Sequence, residues 1–235
     1  MTQDRYDHRS TLGLAGNVTP GIKGLVIANG VVFALQMAAR LMGKGGLEPI
    51  FGLHPSVAFL DLWLWQLVTY MFLHSTSTIL HIVFNMLFLW LFGTEVERAW
   101  GTRAFLRYYF VCGIGGALTT SLLFWNSTTI GASGAVFGVM LAYGMLFPNR
   151  QILFWFLFPM RAISFVLLSI GIELYSLLSL EDGVAHIAHL GGMLFGYLYL
   201  KRAWQIGPFL ADLRWKLRRR RFKVVDRPDR RYPFH

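Results

Sequence analysis

Three short stretches of this chain combine residue types that do chemistry with surroundings that are otherwise apolar. GASGAVFG, residues 131–138, sets Ser133 among Gly131, Gly134 and Gly138. AHIAHLGGMLFG, residues 185–196, carries His186 and His189, with Gly192 and Gly196 three and seven places after His189. HIVFN, residues 81–85, puts His81 and Asn85 four apart. On a helix, residues three, four and seven apart share a face, so His189 lies with Gly192 and Gly196 and His186 is turned about 60° from it. A serine hydroxyl is a poor nucleophile until a neighbouring base takes its proton. Neutral imidazole is the usual base near neutral pH. Attack on an amide creates an oxyanion that needs preset donors. Each stretch alone also has a plainer reading. Ser133 fits a small-residue packing face, the 186/189 pair a carbonyl-satisfied or metal-bound histidine, and His81 with Asn85 a polar bridge between helices. Two histidines three apart with no clear third ligand are thin support for a metal, and no metal or cofactor is expected.

The elements that must position these residues are read from composition. Of 235 residues, 55% are hydrophobic and only 14% charged, with a mean hydropathy of +0.49. Soluble domains carry about 25% charged residues, so the chain reads as a polytopic membrane protein. A single cysteine, Cys112, excludes an intramolecular disulfide framework and a multi-cysteine metal site. Residues 1–23 are polar and no cleaved signal peptide is expected. Six spans are expected at residues 24–42, 77–94, 104–125, 131–147, 162–180 and 184–201, each near the roughly 20 residues needed to cross a bilayer. Residues 43–76, with FLDLWLWQLVTYMFLH, are too amphipathic for a span and read as an interfacial helical hairpin. Residues 151–159, QILFWFLFP, read as a short interfacial approach to the fifth span, ended by Pro159. The expected fold class is therefore all-α: a six-transmembrane-helix bundle with an interfacial helical hairpin between helices 1 and 2. The expected domains are a short cytoplasmic segment (1–23), the membrane domain (24–201) and a basic cytoplasmic tail (202–235).

Charge orients the bundle. With both termini on one side, that side holds 20 of the 22 basic residues and the other keeps only Arg40 and Lys44. The positive-inside rule then puts both termini in the cytoplasm. The tail, with LRWKLRRRRFKVVDRPDRR, reads as a stop-transfer segment and anchor for anionic lipid. Nucleic acid is not an expected partner, since aromatic interleaving is sparse and no binding fold is present. On this orientation spans two, four and six enter from the outer side, so His81, Asn85, Ser133 and His189 fall in one outer layer of the membrane. Glycine pairs on spans four and six let those backbones close up and bring Ser133 to His189. His81, Asn85 and the Ser133 N–H are then the available oxyanion donors. Glu173 is the nearest intramembrane acid, but its facing is not fixed by the sequence, and a Ser–His dyad is the reading taken.

Taken together, HIVFN, GASGAVFG and AHIAHLGGMLFG resemble a rhomboid intramembrane serine protease, in order and sidedness, over about 180 residues. The resemblance implies Ser133 as nucleophile within the family's GxSG, with Gly131 and Gly134 in support. It implies His189 as base, because only His189 has glycines at +3 and +7 (Gly192 and Gly196), and oxyanion roles for His81 and Asn85. It also implies that Phe137, four residues after the serine, stacks under that histidine. Where the family often has Trp-Arg in its first loop, this chain has Trp65-Gln66, a departure. FGTEVERAWG, residues 92–101, resembles the family's glutamate-bearing loop, with Glu97 and Arg98 read as a helix-end ion pair. The implied substrates are single-span membrane proteins cut in or near their span, and a bacterial inner membrane is the expected location. Two competing readings are a catalytically silent rhomboid-like protein that binds client helices, and a small transporter or metal permease using His81, His186 and His189.

Overall fold

The computed structural model describes residues 18–43, 46–154, 158–179 and 183–219; for Phe154 and residues 202–219 it describes the backbone. The segment before residue 18 and the residues beyond 219, parts of the expected cytoplasmic segment and basic tail, lie outside the described residues.

Helix α1 (Pro20–Leu41) opens on a proline whose fixed φ suits the first helical position. Its Thr19 N-cap makes no side-chain bond to the helix's own backbone. The capping is done from a distant part of the chain, as described below. Helix α5 (Leu80–Phe88) passes through a π-helical stretch (Leu89–Gly93) into α6 (Thr94–Trp100) as one rod. Helix α7 (Thr102–Leu123) follows after Gly101, whose φ of +80° makes the tight reversal available to glycine. Then come α8 (Ser133–Leu146), α9 (Ala162–Ser179) and α10 (Val184–Arg219). Each of the six stretches expected as spans is helical over most of its length. By length and apolarity, Pro20–Leu41, Leu80–Trp100 and Ala162–Ser179 are fit to cross a membrane, and Ser133–Leu146 is apolar but shorter.

Helix α8 is the centre. Ten of its 14 residues are buried, which marks a helix surrounded on all sides. It packs on α7, whose Phe105, Tyr108, Tyr109 and Cys112 are fully buried. Two of the buried phenols find acceptors: Tyr108 Oη donates to Gly138 O at 2.8 Å and Tyr70 Oη to Gly113 O at 2.7 Å. Helix α9 is the opposite case. Its Leu167, Ile172, Tyr175 and Leu178 face outward, and Glu173 is its one buried polar group.

Between α1 and α5 the chain forms three short helices, α2 (Glu48–Phe51), α3 (Pro55–Leu60) and α4 (Gln66–Thr69), the last running into a 3₁₀ turn (Tyr70–Phe72). These replace the two arms of a hairpin. Gly52 leaves α2 in extended geometry and Pro55 restarts the helix, so neither α2 nor α3 exceeds six residues. Gln66 is fully buried; its Oε1 accepts from His54 N at 3.0 Å, and its Nε2 donates to Ile50 O at 3.3 Å. An uncharged amide at this position ties the loop to itself, which gives the departure from the family's arginine a structural role here.

Residues 151–154 and 158–161 correct one expectation. They form not a single approach segment stopped at Pro159 but an antiparallel pair of strands, β1 (Gln151–Phe154) and β2 (Phe158–Arg161), with Pro159 opposite Leu153. A two-stranded ladder has a free edge on each strand, so a residue without an N–H is accommodated. The chain divides into two compact units: one ends at Tyr197 and holds all the elements above up to about the first four turns of α10, and the other begins at Leu198, its described part being the remainder of that helix.

Candidate active site

Ser133 is the first residue of α8. The residues before it are pinned by the short-helix segment. Leu53 and Thr129 exchange backbone bonds at 2.9 and 3.0 Å, and Gly131 N donates to Tyr70 O at 2.9 Å. Gly131 has φ +123°, a conformation side chains rarely adopt, and an added Cβ would sit 2.8 Å from His81 Nε2. Both the turn and the space therefore require glycine.

Ser133 Oγ lies 2.7 Å from His189 Nε2. Two contacts set this distance. At Gly192 a Cβ would lie 2.0 Å from Gly134 O, so α8 and α10 meet backbone to backbone one residue past the serine. Phe137 stacks on the His189 ring, centroids 4.3 Å apart and planes 12° off parallel. Gly138 extends the α8–α10 contact, since a Cβ there would lie 3.2 Å from Gly192 O, whereas Gly196 faces α7. A Cβ on either would strike Cys112 of α7, and one on Gly196 also Tyr108 Oη, so the second glycine of each pair admits the third helix.

His81 and Asn85 project from α5 into the same region. Ser75 N donates to His81 Nδ1 at 3.2 Å. In a neutral imidazole the proton must then sit on Nε2, the nitrogen next to Gly131. Asn85 is buried and spends one amide hydrogen on His81 O at 2.8 Å, leaving the other. His81, Asn85, Ser133 and Phe137, with Phe84, Phe88, Val136, Thr78 and Leu80, line a cavity of about 270 Å³. Helix geometry adds the Ser133 N–H, which as the first of α8 has no intrahelical acceptor.

The sequence left Glu173 unplaced. Its Oε2 lies 2.7 Å from His186 Nδ1 and 3.0 Å from His189 Nδ1. The first contact is a hydrogen bond; the second lacks a hydrogen bond's direction, and His189 Nδ1 has no partner that meets it. One signal was available: Glu173 is the only acid between residues 97 and 181, alone within an apolar helix. These three side chains could also ligate a cation, their ligand atoms lying within 4.8 Å of one another. Tetrahedral zinc at its usual bond lengths would hold ligand atoms about 3.3 Å apart; a separation of 2.7 Å is a proton-sharing distance.

Glu97 also takes a place other than the ion pair expected with Arg98. Its carboxylate accepts from Gly21 N at 2.8 Å, Ile22 N at 2.9 Å, Thr19 Oγ1 and Thr102 Oγ1. It thus caps α1, where a negative charge meets the positive end of the helix dipole. Arg98 binds Glu95 at 2.6 Å, and Glu95 also holds Arg150 at 2.7 Å.

Residues 61–205, more than half of the chain, match the Rhomboid domain. The chain belongs to the rhomboid family. With its long apolar helices, it is an integral membrane protein. Among curated relatives, RHOMBOID-like protein 4 of Arabidopsis thaliana is 31% identical over 134 residues, 57% of this chain and 32% of that protein. Rhomboid protease GluP of Bacillus subtilis is 31% identical over 133 residues, 57% of this chain and 25% of that protein. Rhomboid protein 1, mitochondrial, of Saccharomyces cerevisiae is 32% identical over 155 residues, 63% of this chain and 42% of that protein. The chain therefore matches less than half the length of each of these relatives.

Proposed function

We propose that this rhomboid-family protein is an intramembrane serine endopeptidase. Ser133 Oγ attacks a substrate carbonyl carbon while its proton passes to His189 Nε2. The tetrahedral oxyanion takes hydrogen bonds from His81 Nε2–H, the free Asn85 N–H and the Ser133 N–H. The C–N bond then breaks, the leaving amine takes the proton from His189, and water cleaves the acyl-enzyme through the same base. The observation that carries this reading is the 2.7 Å contact between Ser133 Oγ and His189 Nε2, beside a cavity with His81 and Asn85 in its wall.

Six spans with both termini cytoplasmic fit the distribution of basic residues. A bacterial inner membrane is the proposed location, and the basic tail the contact to anionic lipid. Helix α8, at 14 residues, is about 21 Å long. Starting from the cytoplasmic face it ends short of the outer surface, which would leave Ser133 recessed about 10 Å below it. The substrate is a single-span protein entering from lipid, unwound at the cut where small residues lower helix stability. A fluorophosphonate probe tests the chemistry. It should label the parent protein and not Ser133→Ala, while equal labelling of both, or of neither, would contradict it. A silent client-binding relative would give no labelling.

A further inference from the structure

The Ser–His pair does not account for Glu173. A carboxylate is costly inside a span unless it is paired or functional, and this one is buried on a helix whose other faces are apolar. Its Oε2 is the common neighbour of two imidazole nitrogens, His186 Nδ1 at 2.7 Å and His189 Nδ1 at 3.0 Å. The opposite nitrogen of His189 faces Ser133 at 2.7 Å. Ser133 Oγ, the His189 ring and Glu173 Oε2 thus run in sequence from α8 through α10 to α9.

We infer that Glu173 is a positioning residue for His189, with His186 holding the carboxylate in place. This rests on the serine-protease reading of Ser133 and His189. A carboxylate at Nδ1 keeps the proton on that nitrogen, so Nε2 presents its lone pair to the serine. When Nε2 takes the serine proton, the positive ring lies against the negative oxygen. The resting contact to His189 is out of line, as catalytic hydrogen bonds in ligand-free sites often are, and straightens as the imidazolium forms. His186 supplies the second anchor. Its 2.7 Å bond fixes Oε2 between the two rings, and the rings stand edge to face, 89° apart. The two histidines therefore divide the work: the one aligned with Gly192 meets the serine, and its neighbour a turn earlier holds the acid. A purely structural Glu173–His186 pair stitching α9 to α10 would require nothing of His189.

The test is the fluorophosphonate labelling rate of Ser133 in the full chain in detergent, alongside kcat and KM on a single-span substrate and thermal melting. Glu173→Gln is nearly isosteric. It should slow labelling and kcat by about tenfold or more, leaving KM within about twofold. Glu173→Asp, which keeps the charge, should label faster than Glu173→Gln. In the parent, ¹⁵N shifts assigned by comparison with His189→Gln should show the His189 proton on Nδ1, and Glu173→Leu should lose that preference. Unchanged labelling and kcat in Glu173→Gln, or a lower melting temperature with no change in either rate, would overturn the inference while leaving the protease reading intact. A parent that does not label, or a Ser133→Ala variant that labels equally, would overturn that reading and this one with it.

Discussion

At the scale of residues, the site is built from polar groups whose free atoms are decided by what their other atoms do. His81 has its Nδ1 taken by Ser75 N, so its donor is turned toward Gly131 and the cavity. Asn85 keeps one amide hydrogen after binding His81 O. If these two stabilise an oxyanion, they act in the transition state more than in substrate binding. His81→Ala and Asn85→Ala should each lower kcat by about ten- to a thousandfold while KM moves by less than about threefold. Steady-state cleavage of a single-span reporter measures both, and a change confined to KM would reassign the pair to substrate binding. Much of this was legible in the sequence, because a hydroxyl, two histidines and an amide stand out against apolar neighbours. The place of Glu173 was not, since helical spacing fixes a side chain's angle on its own helix and says nothing of how α9 is rotated against α10.

At the scale of elements, the arrangement depends on how closely three helices approach. The α8–α10 crossing is set where Gly192 meets Gly134 O, with no room for a Cβ. Gly192→Ala should therefore lower both melting temperature and turnover, by pushing His189 away from Ser133. Gly171, on α9, has open space where a Cβ would go. Gly171→Ala should leave turnover unchanged and raise stability by up to about 1 kcal/mol through helix propensity. Equal effects from the two substitutions, read by thermal melting and cleavage rate, would show that the glycine contact does not align the pair. The glycine spacing was enough to select α8 and α10 as neighbours. It did not show that Gly138 and Gly196 open a seat for Cys112 and Tyr108 of α7, because a small residue reports close approach without naming the partner. The short helices of 46–72 and the strand pair of 151–154 and 158–161 were obscured for a related reason: runs of four to six apolar residues fit several local structures, and contacts distant in sequence choose among them.

At the scale of the molecule, the loop between α1 and α5 acts as a brace for the site. Gln36 of α1 binds both backbone groups of His74, N to Oε1 and Nε2 to O, each at 3.0 Å. His74 is fully buried against His81, centroids 5.0 Å apart, and neither of its ring nitrogens makes a hydrogen bond. Burial, helped by the charge of His81, pulls its pKa down to about 4 from an ordinary 6.5. The consequence for stability has a definite sign. Above pH 6.5 the ring is neutral whether folded or unfolded and its contribution is complete. As pH falls from about 6.5 to about 4 the unfolded chain gains a proton that the folded protein refuses, and up to about 3 kcal/mol is lost. Melting curves of the parent should fall across that window more steeply than those of His74→Leu, and parallel pH profiles would refute the assignment. The membrane character and the helical order of the described residues followed directly from composition and hydropathy, since the bilayer admits few alternatives.

The central claim is that Ser133 and His189 together cut a peptide bond within a membrane. Its most direct measurement is cleavage of a single-span substrate by the purified protein in liposomes, with the products identified by mass. The parent should yield two fragments from one cut in or beside the span, and Ser133→Ala and His189→Ala should yield none while inserting normally. Undiminished cleavage by either variant, or an intact substrate with the parent across a panel of spans carrying glycine, alanine and serine at the outer end, would contradict it.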